Sequence, residues 1–229
     1  VNIPLLYPNI EEHIKSIIDF KVPIVFTSAG NPNIWTKELK QKNIKVVHVV
    51  SSVKFAIKAE SSGVDAIVAE GFEAGGHNGI EDTTTMCLVP DVAKAINVPL
   101  IAAGGIIDGK SMLAAMILGA DGVQMGTRFV ASKESSAHEN FKNMVLKAKE
   151  GDTRLTLKEI TPVRMMKNKF YKEVEELYKS SPSKEQLLNK LGRGRAKLGM
   201  FEGDLEAGEL EIGQASSQIN RVFTAQEIF

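Results

Sequence analysis

The sequence contains a single cysteine, Cys87, in 229 residues. One thiol excludes an intrachain disulfide and leaves no Cys-rich metal site. An excess of one charge is also missing, since Lys plus Arg number 28 and Asp plus Glu number 28. No net field favours nucleic acid or an anionic membrane surface, so a small-molecule substrate is the default expectation. No apolar run approaches the ~18 residues of a membrane span, and no signal peptide is recognisable. A soluble, cytoplasmic protein is expected. No His, Asp and Glu spacing meets a metal template, and no Gly-x-Ser-x-Gly elbow occurs. What is present is apolar content: 43% of the residues are hydrophobic, enough for one sizeable core and a small appended subdomain.

Short β-branched runs alternate with amphipathic stretches. The pattern predicts strands over 1–6, 22–26, 45–50, 66–69, 99–103 and 122–125, and helices over 11–20, 33–42, 53–61, 89–96 and 110–118. Continuous apolar strands between helices indicate parallel strands covered on both faces. Six such units would suit an open doubly wound sheet, whereas eight close a barrel. Gly-Gly and Gly-Thr pairs ending the last two strands favour the α/β architecture of a (β/α)8 TIM barrel with about six units present. The chain opens at Val1 inside a strand and stops at Phe229 inside a helical pattern, so both ends read as cut and the barrel as N-terminally truncated. Helical patterns between about Lys158 and Leu198 show no intervening strand and suggest a small helical insertion. The expected organisation is a barrel part over 1–157, a mainly helical substrate-side subdomain over 158–213 and a return segment over 214–229.

Two constellations carry chemistry. Ala102-Ala103-Gly104-Gly105-Ile106 follows one predicted strand, and Gln124-Met125-Gly126-Thr127 ends the next. Glycine lets backbone N–H groups approach a phosphate without Cβ interference, and barrels commonly bind phosphate after their last two strands. One such turn would suggest geometry alone; two in succession, with Thr127 available, favour phosphate binding. The second constellation is the loop Glu70 to Gly79, where glycines surround His77 at the C-terminal end of a strand. Histidine titrates near neutrality and can donate, accept or transfer a proton. The flanking glycines admit a planar ligand, which favours His77 as a reactive residue over a solvent-facing cap. Glu70 and Glu73 either orient His77 and ligand hydroxyls or are solvated.

The other candidates weigh less. His48, in a strand, has a core or a cofactor-side role; His13 is expected on an exposed helix face; His138 is expected to cap the helix over 141–149. Cys87, at a helix entrance, reads as buried and inert. Ser28-Ala29-Gly30-Asn31-Pro32 is a turn that leaves room for a ring system or simply turns the chain. The basic cluster Gly192 to Lys197 is either solvated surface or a contact for an anionic substrate tail.

Val1-Asn2-Ile3-Pro4, Ser28 to Pro32, Glu70 through Gly79, Ile101 to Ile106 and Val123 to Phe129 together resemble one family. It is the FMN-dependent nitronate monooxygenase (2-nitropropane dioxygenase) and enoyl-[acyl-carrier-protein] reductase II group. The resemblance covers nearly the whole chain, more loosely after about Leu155. It implies a TIM barrel with FMN at its C-terminal face, lined by Asn2, Glu70 and Gly75. Gly104, Gly105, Gly126 and Thr127 would hold the phosphate, with Gln124 and Met125 nearby, and the family histidine falls on His77. Glu70 stands where many monooxygenase members have glutamine. Family members also carry an N-terminal Gly-rich flavin-binding loop that this chain lacks, along with two βα units.

The resemblance admits two chemistries. In one, NADH or NADPH reduces FMN, and hydride passes to an enoyl thioester of fatty-acid synthesis, with acyl carrier protein as a possible partner. In the other, an alkyl nitronate is oxidised with molecular oxygen. The short link from Gly-Gly-His to Thr83-Thr84-Thr85-Met86, and the stretch Ser132 to Asn140, resemble the reductase branch. A flavin-free phosphate-binding isomerase or lyase is the alternative from the phosphate site alone. A homodimer and a non-catalytic fragment are further possibilities.

Overall fold

The structure, a computed structural model, describes residues 1–229. In chain order its elements begin β1 (Asn2–Pro4), α1 (Ile10–Asp19), β2 (Ile24–Ser28), α2 (Thr36–Gln41), β3 (Lys45–Val50), α3 (Val53–Ser61), β4 (Ala66–Glu70) and β5 (Gly76–His77). They continue with α4 (Thr85–Ala95), β6 (Leu100–Ala103), α5 (Gly109–Ile117), β7 (Gly122–Gln124), α6 (Thr127–Val130), α7 (Glu139–Leu146), β8 (Thr153–Thr156) and β9 (Val163–Met166). The last are α8 (Lys169–Tyr178), α9 (Lys184–Leu191), α10 (Arg195–Met200), a 3-10 turn at Gln214–Gln218 and α11 (Ala225–Ile228). No helix is long and apolar enough to cross a membrane. The chain forms two compact units, one of residues 1–71, 81–103 and 112–124, the other of residues 72–80, 104–111 and 125–229.

The first unit is a six-stranded parallel sheet in the order β1-β2-β3-β4-β6-β7. That order follows the chain and never reverses. A doubly wound sheet reverses at a switch point; an unreversed parallel order is that of consecutive staves in a (β/α) barrel, as the glycine-ended strands suggest. The strands form where β-branched residues cluster, and alternation along each one supplies two apolar faces. Val25, Val46, Ile67 and Ala102 are fully buried on one face. On the other, Val47, Val68 and Ala103 pack with Phe26, Val49, Ala66 and Ile101. Ile14 and Ile17 supply the buried stripe of α1, and α3 starts where the Ser52 side chain accepts the Phe55 N–H.

Carboxylates secure the N-terminal edge of this sheet. Asp65, just before β4, accepts the Val46 N–H at 2.9 Å, and Asp121, just before β7, accepts the Leu100 N–H at 2.8 Å. Glu60 accepts the N–H groups of Asn97 and Val98 at the entrance to β6. Polar groups at this end are therefore committed to structure. In barrels it is the opposite, C-terminal strand ends that carry binding and catalytic groups.

The second unit contains the antiparallel sheet β5-β9-β8. The expected uninterrupted helical run over 158–198 is thus broken by a strand, β9. All four residues of β9 are buried, so it shows none of the alternation by which a half-buried strand is read. Val163 and Met165 enter a core with Leu157, Phe170, Val174 and Leu187, whereas Met166 joins another with Phe141, Val145, Leu210 and Ile212. The strand is sandwiched between two cores. Another correction concerns Cys87, which is exposed rather than buried. Helix α4 starts at Thr85, ahead of the predicted 89, and its buried stripe is Thr85, Leu88, Val89 and Val92; Cys87 falls outside that stripe.

Candidate functional site

In the first unit, strand pairing decides which side chains share a face. Glu70 pairs with Ala103, and Ala103 with Gln124, in one cross-strand row. Asn2 belongs to a lower row through Phe26, Val47 and Ala66. Paired residues and residues two apart along a strand point the same way, so Asn2, Glu70 and Gln124 all lie on the face lined by Val47, Val49 and Val68. Burial pushes the Glu70 carboxyl up to about 7. Near neutrality this group is partly protonated and can donate a hydrogen bond as well as accept one.

His48 lies on the opposite face, with Val46 and Val50. It is 4% exposed, and its Nδ1 is 2.7 Å from the Thr27 hydroxyl. Burial, followed by the positive charge of Lys58, lowers its pKa to about 4. Of the two roles open to His48, the structure gives the core one: a neutral imidazole on the side away from Glu70.

In the second unit, the loop bearing His77 is strapped down on both sides. Gly76 and His77 pair with Arg164 and Val163 of β9, and the Asn78 N–H donates to the Pro162 carbonyl at 2.8 Å. The Asn78 amide also donates to the carbonyls of Ala74 and Gly76. Arg164 is buried, donates to the Phe72 carbonyl and stacks over the Phe72 ring. The His77 side chain itself remains 67% exposed. Gly75 is required by close approach, because a Cβ there would lie 2.4 Å from the Ile212 carbonyl carbon. Gln214 donates to the Glu73 carbonyl at 2.9 Å, and the Gly213 N–H donates to the Thr127 hydroxyl at 3.0 Å. These contacts bring together the 72–80 loop, the turn at Gly126–Thr127 and the segment 209–214.

The glycine turns after β6 and β7 differ in backbone and surroundings. Gly104 and Gly105 adopt φ of 92° and 75°, the left-handed region that side chains other than glycine rarely enter. The nearest atom to a Cβ at Gly105 would be the Glu73 Cβ, at 3.5 Å, and a Cβ at Gly126 would meet nothing within 4 Å. Met125, beside Gly126, is half-buried. The Thr127 hydroxyl accepts from Gly213 and keeps its own proton to donate.

Two carboxyls escaped the sequence reading. Glu211 Oε1 is 3.9 Å from His77 Nδ1. Glu209 is 5% exposed, and its Oε1 has no hydrogen-bond partner. Burial first, then the charge of Glu211, pushes Glu209 up to about 7, against the pull of Arg195. Burial raises Glu211 as well, opposed by His77. The signal was local: Glu209-Leu210-Glu211-Ile212 alternates, with Leu210 and Ile212 buried, as an extended segment would. Elsewhere, Arg195 of the basic cluster is structural, donating to the Leu191 and Ala207 carbonyls and stacking on Phe170, while Arg193 and Lys197 are exposed. His138 caps α7 as expected, its Nδ1 accepting the Asn140 N–H at 3.1 Å, and His13 is exposed.

The sequence model of a family described as nitronate monooxygenase matches residues 5–229. A probable nitronate monooxygenase of Staphylococcus aureus (strain MRSA252) is 38% identical over 213 residues, covering 89% of this chain and 60% of that protein. Among solved structures, FabK from Thermotoga maritima superposes with a TM-score of 0.91 at 41% identity, over 100% of this chain and 72% of that one. Nitroalkane oxidase from Streptomyces ansochromogenes gives 0.79 at 26% identity, over 96% of this chain and 65% of that one. The chain therefore spans about three fifths of the length of the curated relative.

Proposed function

The chain belongs to the nitronate monooxygenase family, and from that membership we propose that the whole protein is an FMN-dependent oxidoreductase that reduces an enoyl thioester with NADH or NADPH. The observation that carries this choice is the greater likeness to FabK, an enoyl-[acyl-carrier-protein] reductase II, than to nitroalkane oxidase, in both identity and TM-score. The turns fit a phosphate: Gly104 and Gly105 hold left-handed backbone, and the space over Gly126 is open. Backbone N–H groups of Gly104, Gly105 and Gly126, with the Thr127 hydroxyl, would hold the FMN phosphate. Gln124 and Met125 would lie nearby, and Asn2, Glu70 and Gly75 would line the ring. When bound, FMN supplies the hydride or electron transfer that no side chain can provide.

The side chains have separate tasks in this reading. Glu70, pushed up to about 7, offers a hydrogen-bond donor where many family monooxygenases present a glutamine amide. His77, exposed at the end of its strapped loop, donates a hydrogen bond or a proton as negative charge develops on the thioester. The substrate is an acyl thioester, with acyl carrier protein as its carrier. The full-length protein, purified yellow, is expected to oxidise NADH on addition of crotonyl thioester. Rapid turnover of propionate 3-nitronate without NADH, and none of the thioester, would overturn the choice.

The second reading is nitronate oxidation, supported by the family description and the name of the staphylococcal relative. There His77 holds the nitronate anion or takes a proton from the neutral nitroalkane. Anaerobic flavin reduction with NADH, NADPH or a nitronate separates the two. No observation favours the flavin-free isomerase or lyase.

A further inference from the structure

We propose that Glu211 is the positioning residue of His77, taking the Nδ1–H side of the imidazole so that Nε2 is the nitrogen presented to substrate. The proposal rests on His77 being the reactive residue of the proposed oxidoreductase. Its basis is how the two groups are carried. β9 pairs with His77 through Val163 and is bridged to Glu211 through Met165, so one buried strand sets the spacing of imidazole and carboxylate. Gly76 completes the arrangement, because a Cβ there would lie 2.7 Å from Glu211 Oε2. Glycine at that position lets the carboxylate lie against β5 beside His77.

Exposure divides the roles: the His77 side chain is 67% exposed and that of Glu211 is 18% exposed. The carboxylate is the fixed partner and the ring the movable one. At 3.9 Å the contact is an ion-pair distance, and a small rotation of the exposed ring closes it to a hydrogen bond, as catalytic contacts commonly tighten with substrate. A carboxylate so placed selects the tautomer and stabilises the imidazolium whenever His77 holds a second proton.

The charged groups around Glu211 are consistent with that task. Glu209, two residues away and buried, is pushed up to about 7 by burial and by Glu211; burial raises Glu211 as well, and His77 opposes that shift. Arg164, paired in register with Gly76, is directed to the Phe72 carbonyl and Thr153. Arg195 acts on Glu209.

The test uses the full-length flavin-loaded protein with nitrogen-15 histidine, observed by NMR at alkaline pH. The His77 resonances are identified by their loss in His77→Ala. Wild type is expected to show His77 protonated at Nδ1. In Glu211→Leu, which removes the acceptor, the tautomer is expected to move toward Nε2–H and turnover to fall about tenfold or more with little change in KM. Glu211→Gln keeps an acceptor without the charge, so it should retain the tautomer yet still lose turnover. A wild-type His77 protonated at Nε2, or a tautomer and turnover unmoved by Glu211→Leu, would overturn the proposal. Should His77→Ala leave turnover intact, the functional reading fails instead, and the wild-type tautomer still decides whether Glu211 positions the ring.

Discussion

His48, in the six-stranded unit, is buried among valines and lowered to about 4, whereas His77, in the second unit, keeps its ring in solvent. The carboxyl beside His77 shows the reverse arrangement, since the Glu211 side chain is 18% exposed and burial raises its pKa. A histidine inside a parallel sheet must be neutral to be tolerated, because desolvation penalises its charged form. The His77 ring is exposed instead, with the Glu211 carboxyl 3.9 Å from its Nδ1. The first arrangement serves folding; the second is suited to moving a proton.

The largest expected effect separates the two histidines. His77→Ala should retain FMN and lose roughly 100-fold or more of turnover, measured as steady-state rate against bound flavin. Unchanged turnover would remove His77 from the mechanism. His48→Gln should instead act on stability. Because His48 has its folded pKa depressed from 6.5 to about 4, the unfolded chain binds the proton first as pH falls. Wild type therefore loses stability relative to His48→Gln between these pH values, by about 3 kcal/mol at most. Glu70, raised from 4.5 to about 7, gives the mirror image: relative to Glu70→Gln, wild type loses up to about 3 kcal/mol as pH rises through that window. Urea unfolding across pH measures both, and parallel wild-type and variant profiles would refute the assigned burial.

Smaller effects distinguish glycines that pack from glycines that leave space. Gly75→Ala, with its Cβ 2.4 Å from backbone, should cost about 1–3 kcal/mol of stability. Gly126→Ala, with nothing within 4 Å, should change stability by no more than about 0.5 kcal/mol while weakening flavin retention. Equal losses of stability would mean that the two turns are packed alike.

Legibility followed the range of the interactions. β3 and α3 emerge over the residues predicted, because a β-branched run, the Ser52 cap and a helical stripe are local signals. The barrel-type strand order was anticipated from the Gly-Gly and Gly-Thr pairs at strand ends, since turn chemistry is local as well. β9 was missed because complete burial removes alternation; α4 was started too late, and Cys87, expected to be buried, is exposed. Glu211 could not be connected to His77 from spacing, since only their shared strand β9 brings them together.

The sequence by itself determined the alternation of strands and helices, the glycine turns after β6 and β7 and the loop that carries His77. Each depends on periodicity or on backbone freedom within a few residues. Tertiary structure alone decided that His48 faces away from Glu70, that Gly75 is demanded by the 212–213 backbone and that the Glu211 carboxyl stands 3.9 Å from the His77 ring. Face, burial and proton affinity arise from strand register and from segments far apart in the chain, and a side chain acquires them only when those segments pack.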